Sequence, residues 1–262
     1  MEFINAQNIE YFFLVFIRVF TIIVFLPVIG YENIDIRVRL LFSMLTAIIC
    51  FPLAMHGAAP SDGSLAMFTA FAANEVLIGL IIGFIPLFLF AGFEFAGELI
   101  GMQMGLSMMS YFDPTTNMNI STVARLKYIL LMLIFLLIGG HIFFIEAIGK
   151  SFEIIRLGEP AFSGFAGIVQ IVLTNIKEIY VIGFKAGAPV VAALFLIEAG
   201  LGLVSKTVPQ MNIFLVGVPL KILVGLAMLL VIIGYVINLF TGYWAQIQGD
   251  MLDVINLLKS PR

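Results

Sequence analysis

Charge is what this chain of 262 residues has least of: 11% of it is Asp, Glu, Lys or Arg, against 62% hydrophobic residues. Soluble domains carry about 25% charged residues, and a water-soluble globule needs more polar surface than this sequence supplies. Lys and Arg number 13 against 16 acidic residues, a net charge of −3, which leaves no basic field for nucleic acid. The single cysteine, Cys50, lies in an apolar run; it excludes an internal disulfide and leaves the redox compartment open. Two histidines, His56 and His141, build no metal site with one distant cysteine, so neither metal nor other cofactor is expected. HExxH, GxxxxGKS/T, GxSxG and GxGxxG are all missing, and an enzyme is not expected. No Lys or Arg precedes Arg18. A cleavable signal peptide would want a basic start, so the first apolar segment is expected to be retained as a helix.

What is present is apolar length. Residues 11–29 are apolar apart from Arg18, residues 40–55 and 76–93 carry no charge, and residues 128–145 are interrupted only by His141. A fifth region runs from Ala161 to about Ile197, marked by Lys177, Glu178 and Lys185, and a sixth from Ile222 to Gly249 has no charge over 28 residues. Transmembrane strands would show short alternating segments instead. The fold class is therefore an all-α membrane protein of about six long hydrophobic helices. Pro27, Pro52, Pro86, Pro189 and Pro219 sit in or beside these runs, where each removes a backbone hydrogen bond and favours a kink. Lys and Arg alternate between the early connections, with the N-terminus outside, and the alternation then fails at Lys150 and Arg156. Either the second half contains an incomplete crossing, or its helices do not sit in a bilayer in the ordinary way.

Small residues at fourfold spacing mark close helix contacts in membranes. Gly79/Gly83 and Gly183/Gly187 are such pairs, expected to pack within the chain; Gly97/Gly101/Gly105 extends the spacing and equally suits a partner subunit. Glu94 and Glu98, four apart, share one helix face, where two like charges repel and call for a cationic or wet neighbour; Arg125 and Lys127 are the nearest cations in sequence. Lys177, Glu178, Lys185, Glu198, Lys206 and Lys221 punctuate the later spans. Structural ion pairs explain them better than a proton relay, because no coupling-ion pattern links them.

The most informative stretch is 97–120, which holds five of the chain's 13 methionines: Met102, Met104, Met108, Met109 and Met118. Unbranched, polarizable Met makes a deformable apolar surface. Here it lies beside a glycine-rich helix and ends in Tyr111-Phe112-Asp113-Pro114, a turn signal. A pliable constriction or plug is the expectation for Met102, Met104, Gly105, Met108, Met109, Tyr111, Phe112, Asp113 and Pro114. A second motif, Pro209-Gln210-Met211-Asn212 leading into a helix with Gly217 and Pro219, is an unusual entry to a span and is assigned to helix packing and assembly. In the tail, Trp244, Ile247, Met251, Val254, Ile255 and Leu258 fall on one helical face, suited to a membrane surface or a protein groove.

Four segments together, LPVIGYENIDIRVRL, AGELIGMQMGLSMMSYFDPTTN, ARLKYILLMLIFLLIGGH and VPQMNIFLVGVPLKI, resemble the FliR/SctT family of type III export-gate proteins along essentially the whole chain. The resemblance implies a non-enzymatic gate subunit of the flagellar export apparatus, in the bacterial inner membrane at the flagellar basal body. It implies FliP-like and FliQ-like gate partners, FlhB-like and FlhA-like export components, unfolded substrates in transit, and lipid. It also implies one integral membrane domain over 1–262, with a FliP-like part to about residue 164. A FliQ-like part over about 165–262 would end in the amphipathic tail. The family's plug loop falls on about 105–119. The injectisome counterpart is the near alternative. From another class, a secondary transporter with a site at the broken helices near Pro189 and Pro219 is the rival, although no internal repeat supports it.

Overall fold

A computed structural model describes residues 6–27, 34–55, 64–106, 121–158, 164–208, 210 and 213–259, apart from the side chains of residues 6, 121–127, 165, 213 and 214. Every regular element among them is a helix: α1 Ala6–Val24, α2 Ile36–Ala54, α3 Leu65–Gln103, α4 Ser121–Leu137, α5 Gly140–Ile154, α6 Phe165–Thr207, α7 Ile213–Val231 and α8 Ile233–Leu257. Four of these are long and apolar enough to cross a membrane, and up to six crossings result if each of two bent pairs, α4 with α5 and α7 with α8, makes one. That upper figure agrees with the sequence count. Two helices exceed a single crossing. The 39 residues of α3 and 43 of α6 reach contour lengths of about 58 and 65 Å at about 1.5 Å per residue, twice a hydrocarbon core. Pro86 and Pro189 lie inside them without ending them.

The chain divides into two compact units, one formed by Met1–Phe88, Phe135–Asn175 and Ala245–Arg262, the other by Leu89–Ile134 and Ile176–Trp244. Residue 164 falls inside the first, so these spatial units are not the sequential FliP-like and FliQ-like parts, which concern likeness to other chains.

In the first unit α2 packs on α1 and α5, starting where the Asp35 side chain accepts the Arg37 amide at 2.9 Å and so satisfies a free helix N–H. Leu14, Val15, Val19, Ile22 and Ile23 of α1 are buried. Gly79 and Gly83 let α3 close on α1. A methyl at Gly79 would stand 2.7 Å from Thr21 Cβ and 2.9 Å from the Arg18 carbonyl, and one at Gly83 2.9 Å from Phe25 Cβ. The expected internal GxxxG contact is therefore made here.

The tail's apolar face is covered by its own chain rather than left for a membrane or a partner. Ile247, Met251, Val254, Ile255 and Leu258 are buried, and Leu257 sits against Gly164 and Gly167 at the start of α6. The Asn175 side chain donates to Asp250 at 2.8 Å.

The second unit repeats the device. A side chain at Gly183 would collide with Phe95, and one at Gly92 would stand 2.9 Å from Ile182 Cβ. Phe90 and Phe93 of α3 pack on Phe240 of α8 at centroid separations of 5.7 and 5.4 Å. Ile100, Met104, Val190, Leu194 and Ile232 form its core.

Candidate functional site

The final turns of α3, in the second unit, carry the residues that the sequence marks out. Helical periodicity sends them to different surroundings. Gly97, Ile100, Gly101 and Met104 are buried, while Glu94, Glu98 and Met102 are exposed. The two methionines thus part company. Met104 is fully buried and fills the space at Gly225, where a methyl would stand 2.6 Å from its Cε. Met102 is 53% exposed. Gly105 then ends the helix with φ +80 and an amide donating to Met102 O at 3.0 Å, a left-handed exit that glycine makes without strain. Met108, Met109, Tyr111, Phe112, Asp113 and Pro114 lie outside the described residues.

Among the described residues the glycine ladder does not close on another helix at Gly101, where an added methyl would meet nothing within 4 Å. At Gly105 it would meet only Val218, at 3.7 Å. Gly97, with Phe93, Ile100, Leu130, Leu229 and Ile232, instead lines a wholly apolar cavity of about 350 Å³. Glu94 and Glu98 have no ion-pair partner among the described residues, and the side chains of Arg125 and Lys127 are not among those described. From the second motif Gln210 is exposed, Gly217 is buried and Pro219 is exposed within α7; Pro209 and Asn212 are outside the described residues.

Polar groups of the later spans find partners inside the second unit. Glu198 Oε2 accepts from Gln103 Nε2 and from Lys221 Nζ, each at 3.0 Å. Lys185 Nζ donates to Tyr243 OH at 2.9 Å, and Tyr235 OH donates to the Lys185 carbonyl at 3.2 Å. Glu198 and Lys221 thus form an ion pair of the expected kind, while Lys185 meets a tyrosine hydroxyl.

The first unit contains a charged centre of a different kind. Arg18 of α1 and Glu75 of α3 are both fully buried and form an ion pair through Arg18 Nε and Glu75 Oε2. Arg18 Nη1 also donates to the carbonyls of Ser151 and Ile155, each at 3.1 Å. Ser151, in the last turn of α5, also takes the Ile155 amide at 2.9 Å, and Ile155 is the residue that caps that helix. The guanidinium carbon stands 4.4 Å from the Phe152 ring centroid, a cation–π contact. Glu75 Oε1 accepts the Gly158 amide at 3.3 Å. Gly158 has φ +79, and a methyl there would stand 2.9 Å from Phe71, so only glycine offers its N–H in this place.

Residues 9–247 match the family described as bacterial export proteins, family 1. The flagellar biosynthetic protein FliR of Bacillus subtilis (strain 168) is 34% identical over 222 residues, covering 84% of this chain and 85% of that one. The chain belongs to the FliR family. FliR of Escherichia coli (strain K12) is 28% identical over 243 residues, 92% of this chain and 91% of its own length. FliR of Aquifex aeolicus (strain VF5) is 29% identical over 227 residues, 86% and 85% of the two chains. As a FliR-family protein it is an all-α membrane-embedded component of the flagellar export apparatus.

Sequence reasoning about this FliR-family chain found the end of α3 but passed over Arg18 and Glu75. Arg18 was legible as the one charge in the first span. Such a residue needs a partner. Glu75, lying just before the charge-free stretch that opens at Val76, looks like a loop residue. The structure sets it ten residues inside α3, which begins at Leu65.

Proposed function

We propose that this chain is a pore-lining gate subunit of the flagellar type III export apparatus in the inner membrane. It would admit unfolded proteins while holding back ions and small molecules at rest. The observation that carries this reading is the end of α3. A fully buried Met104 holds the helix, Gly105 turns the chain out of it, and an exposed Met102 opens the methionine-rich stretch. A narrow apolar constriction resists wetting, and Met side chains re-pack around varied sequences. The room for a side chain at Gly101, and Glu94 and Glu98 without an ion-pair partner among the described residues, support assembly with other subunits, FliP-like and FliQ-like chains and FlhB-like and FlhA-like components. The division into a FliP-like part to about residue 164 and a FliQ-like part beyond belongs to the same proposal, as does the absence of catalysis. A transporter reading gains nothing from Lys185 and Lys221, the cations near Pro189 and Pro219, because both are engaged in contacts within the unit.

Shortening residues 107–117 with small flexible residues is expected to leave the complex assembled but leaky. Ion conductance or small-molecule entry in cells making the assembled variant measures this, with a non-assembling variant as control. An assembled, export-competent complex as tight as the parent would place the seal on another subunit.

A further inference from the structure

We propose that Gln103, Glu198 and Lys221 act as one positioning element that sets the resting seal of the gate. This inference rests on the reading of α3's end as the border of the pore. One carboxylate oxygen, Glu198 Oε2, receives both the Gln103 amide and the Lys221 ammonium at 3.0 Å. The cluster therefore ties three helices, α3, α6 and α7, through a single atom.

Its place in the sequence gives it its leverage. Gln103 is the last residue of α3, directly before the buried Met104 and two before the left-handed Gly105. Glu198 follows Ile197 and Lys221 precedes Ile222, and both isoleucines pack on the cluster of Ile100, Met104, Val190 and Leu194. Each polar residue is thus the immediate neighbour of a side chain in the core that holds Met104. The apolar cluster fixes how deep the end of α3 sits. Apolar packing is not directional, so it leaves the rotation and slide of that turn weakly determined. Two charge-assisted or amide hydrogen bonds with fixed directions supply the missing restraint. The direction in which the chain leaves Gly105, and with it the presentation of Met102, follows from that restraint.

Glu198→Ala removes both bonds, Lys221→Met removes the ammonium and keeps the apolar stem, and Gln103→Leu removes the amide. Each should assemble with its partner subunits at parental yield and raise resting leak by about fivefold, the population change that about 1 kcal/mol gives for a pair of this exposure. The double replacement Glu198→Lys with Lys221→Glu keeps opposite charges facing, and Gln103 offers its carbonyl to the new ammonium, so it should restore the parental seal. A merely structural role would lower assembly yield and leave the leak of the assembled complex at the parental level. The variant shortened over 107–117 serves as the positive control. If it leaks and the three assembled single variants do not, this inference is wrong while the gate reading stands; if it too stays tight, the gate reading fails first. Loss of assembly in all three, not rescued by the charge exchange, would make the cluster a plain fold element and overturn the proposal.

Discussion

Replacing Glu75 by Leu is expected to remove most of the folded chain from the membrane, and Arg18→Met is expected to do much the same. Both side chains are fully buried, so either single change leaves the other's charge without its counter-charge in an apolar interior. Removing one partner of a buried pair costs about 3–5 kcal/mol, a large share of the about 5–15 kcal/mol that holds a domain together. The Arg18→Met, Glu75→Leu double variant should recover most of the loss, because no uncompensated charge remains. It should not recover all of it. The Ile155 carbonyl and the Gly158 amide would lose the partners that the pair gives them, and buried groups left so are destabilising. The amount of membrane-inserted protein and its thermal unfolding in detergent distinguish these outcomes. Parental stability in either single variant would mean that the centre is not closed to solvent.

Gly79→Val should be nearly as damaging, and for a steric reason. The added Cβ would press on Thr21 and on the Arg18 carbonyl, which is backbone and cannot swing away. Overpacking a core in this way costs about 1–3 kcal/mol. Here it also pushes α1 away from α3, and with it the guanidinium that Glu75 needs, so the two losses should compound. Gly101→Val provides the contrast within the same helix, since no described residue beyond its own helix backbone lies within 4 Å of its Cβ. Protease resistance of the free chain should fall sharply for the first variant and stay parental for the second. Only complex yield should respond at Gly101, where another subunit is expected to pack. Equal protease resistance for both would show that α1 and α3 do not depend on the close approach.

Much of the architecture is visible in the sequence because lipid imposes a simple rule: apolar length becomes helix. Pro86 and Pro189 were legible as kink signals, yet α3 and α6 run through them. The GxxxG pairs at Gly79/Gly83 and Gly183/Gly187 foretell contacts that the fold makes. At Gly101 the same spacing meets no neighbouring helix among the described residues, since spacing specifies a surface and not its occupant. Glu198 was legible as a group in need of a cation. That the cation is Lys221, and that Gln103, 95 residues from Glu198, donates to the same carboxylate oxygen, depends on tertiary packing. The same holds for Arg18 and Glu75, 57 residues apart. The tail's amphipathic face was clear, but its destination turned on Gly164 and Gly167, which admit Leu257 and carry no periodic signal of their own.

The most direct test of a pore-lining role is contact with a protein in transit. A photo-crosslinking amino acid at Met102, the exposed methionine at the end of α3, would be compared with one at Ile49 on α2, also exposed. The assembled apparatus would hold an export substrate stalled by a folded fusion. The account predicts that the substrate is captured from Met102, independently of the substrate sequence stalled there, and not from Ile49. Capture from neither position in a complex shown to contain the stalled chain would contradict it.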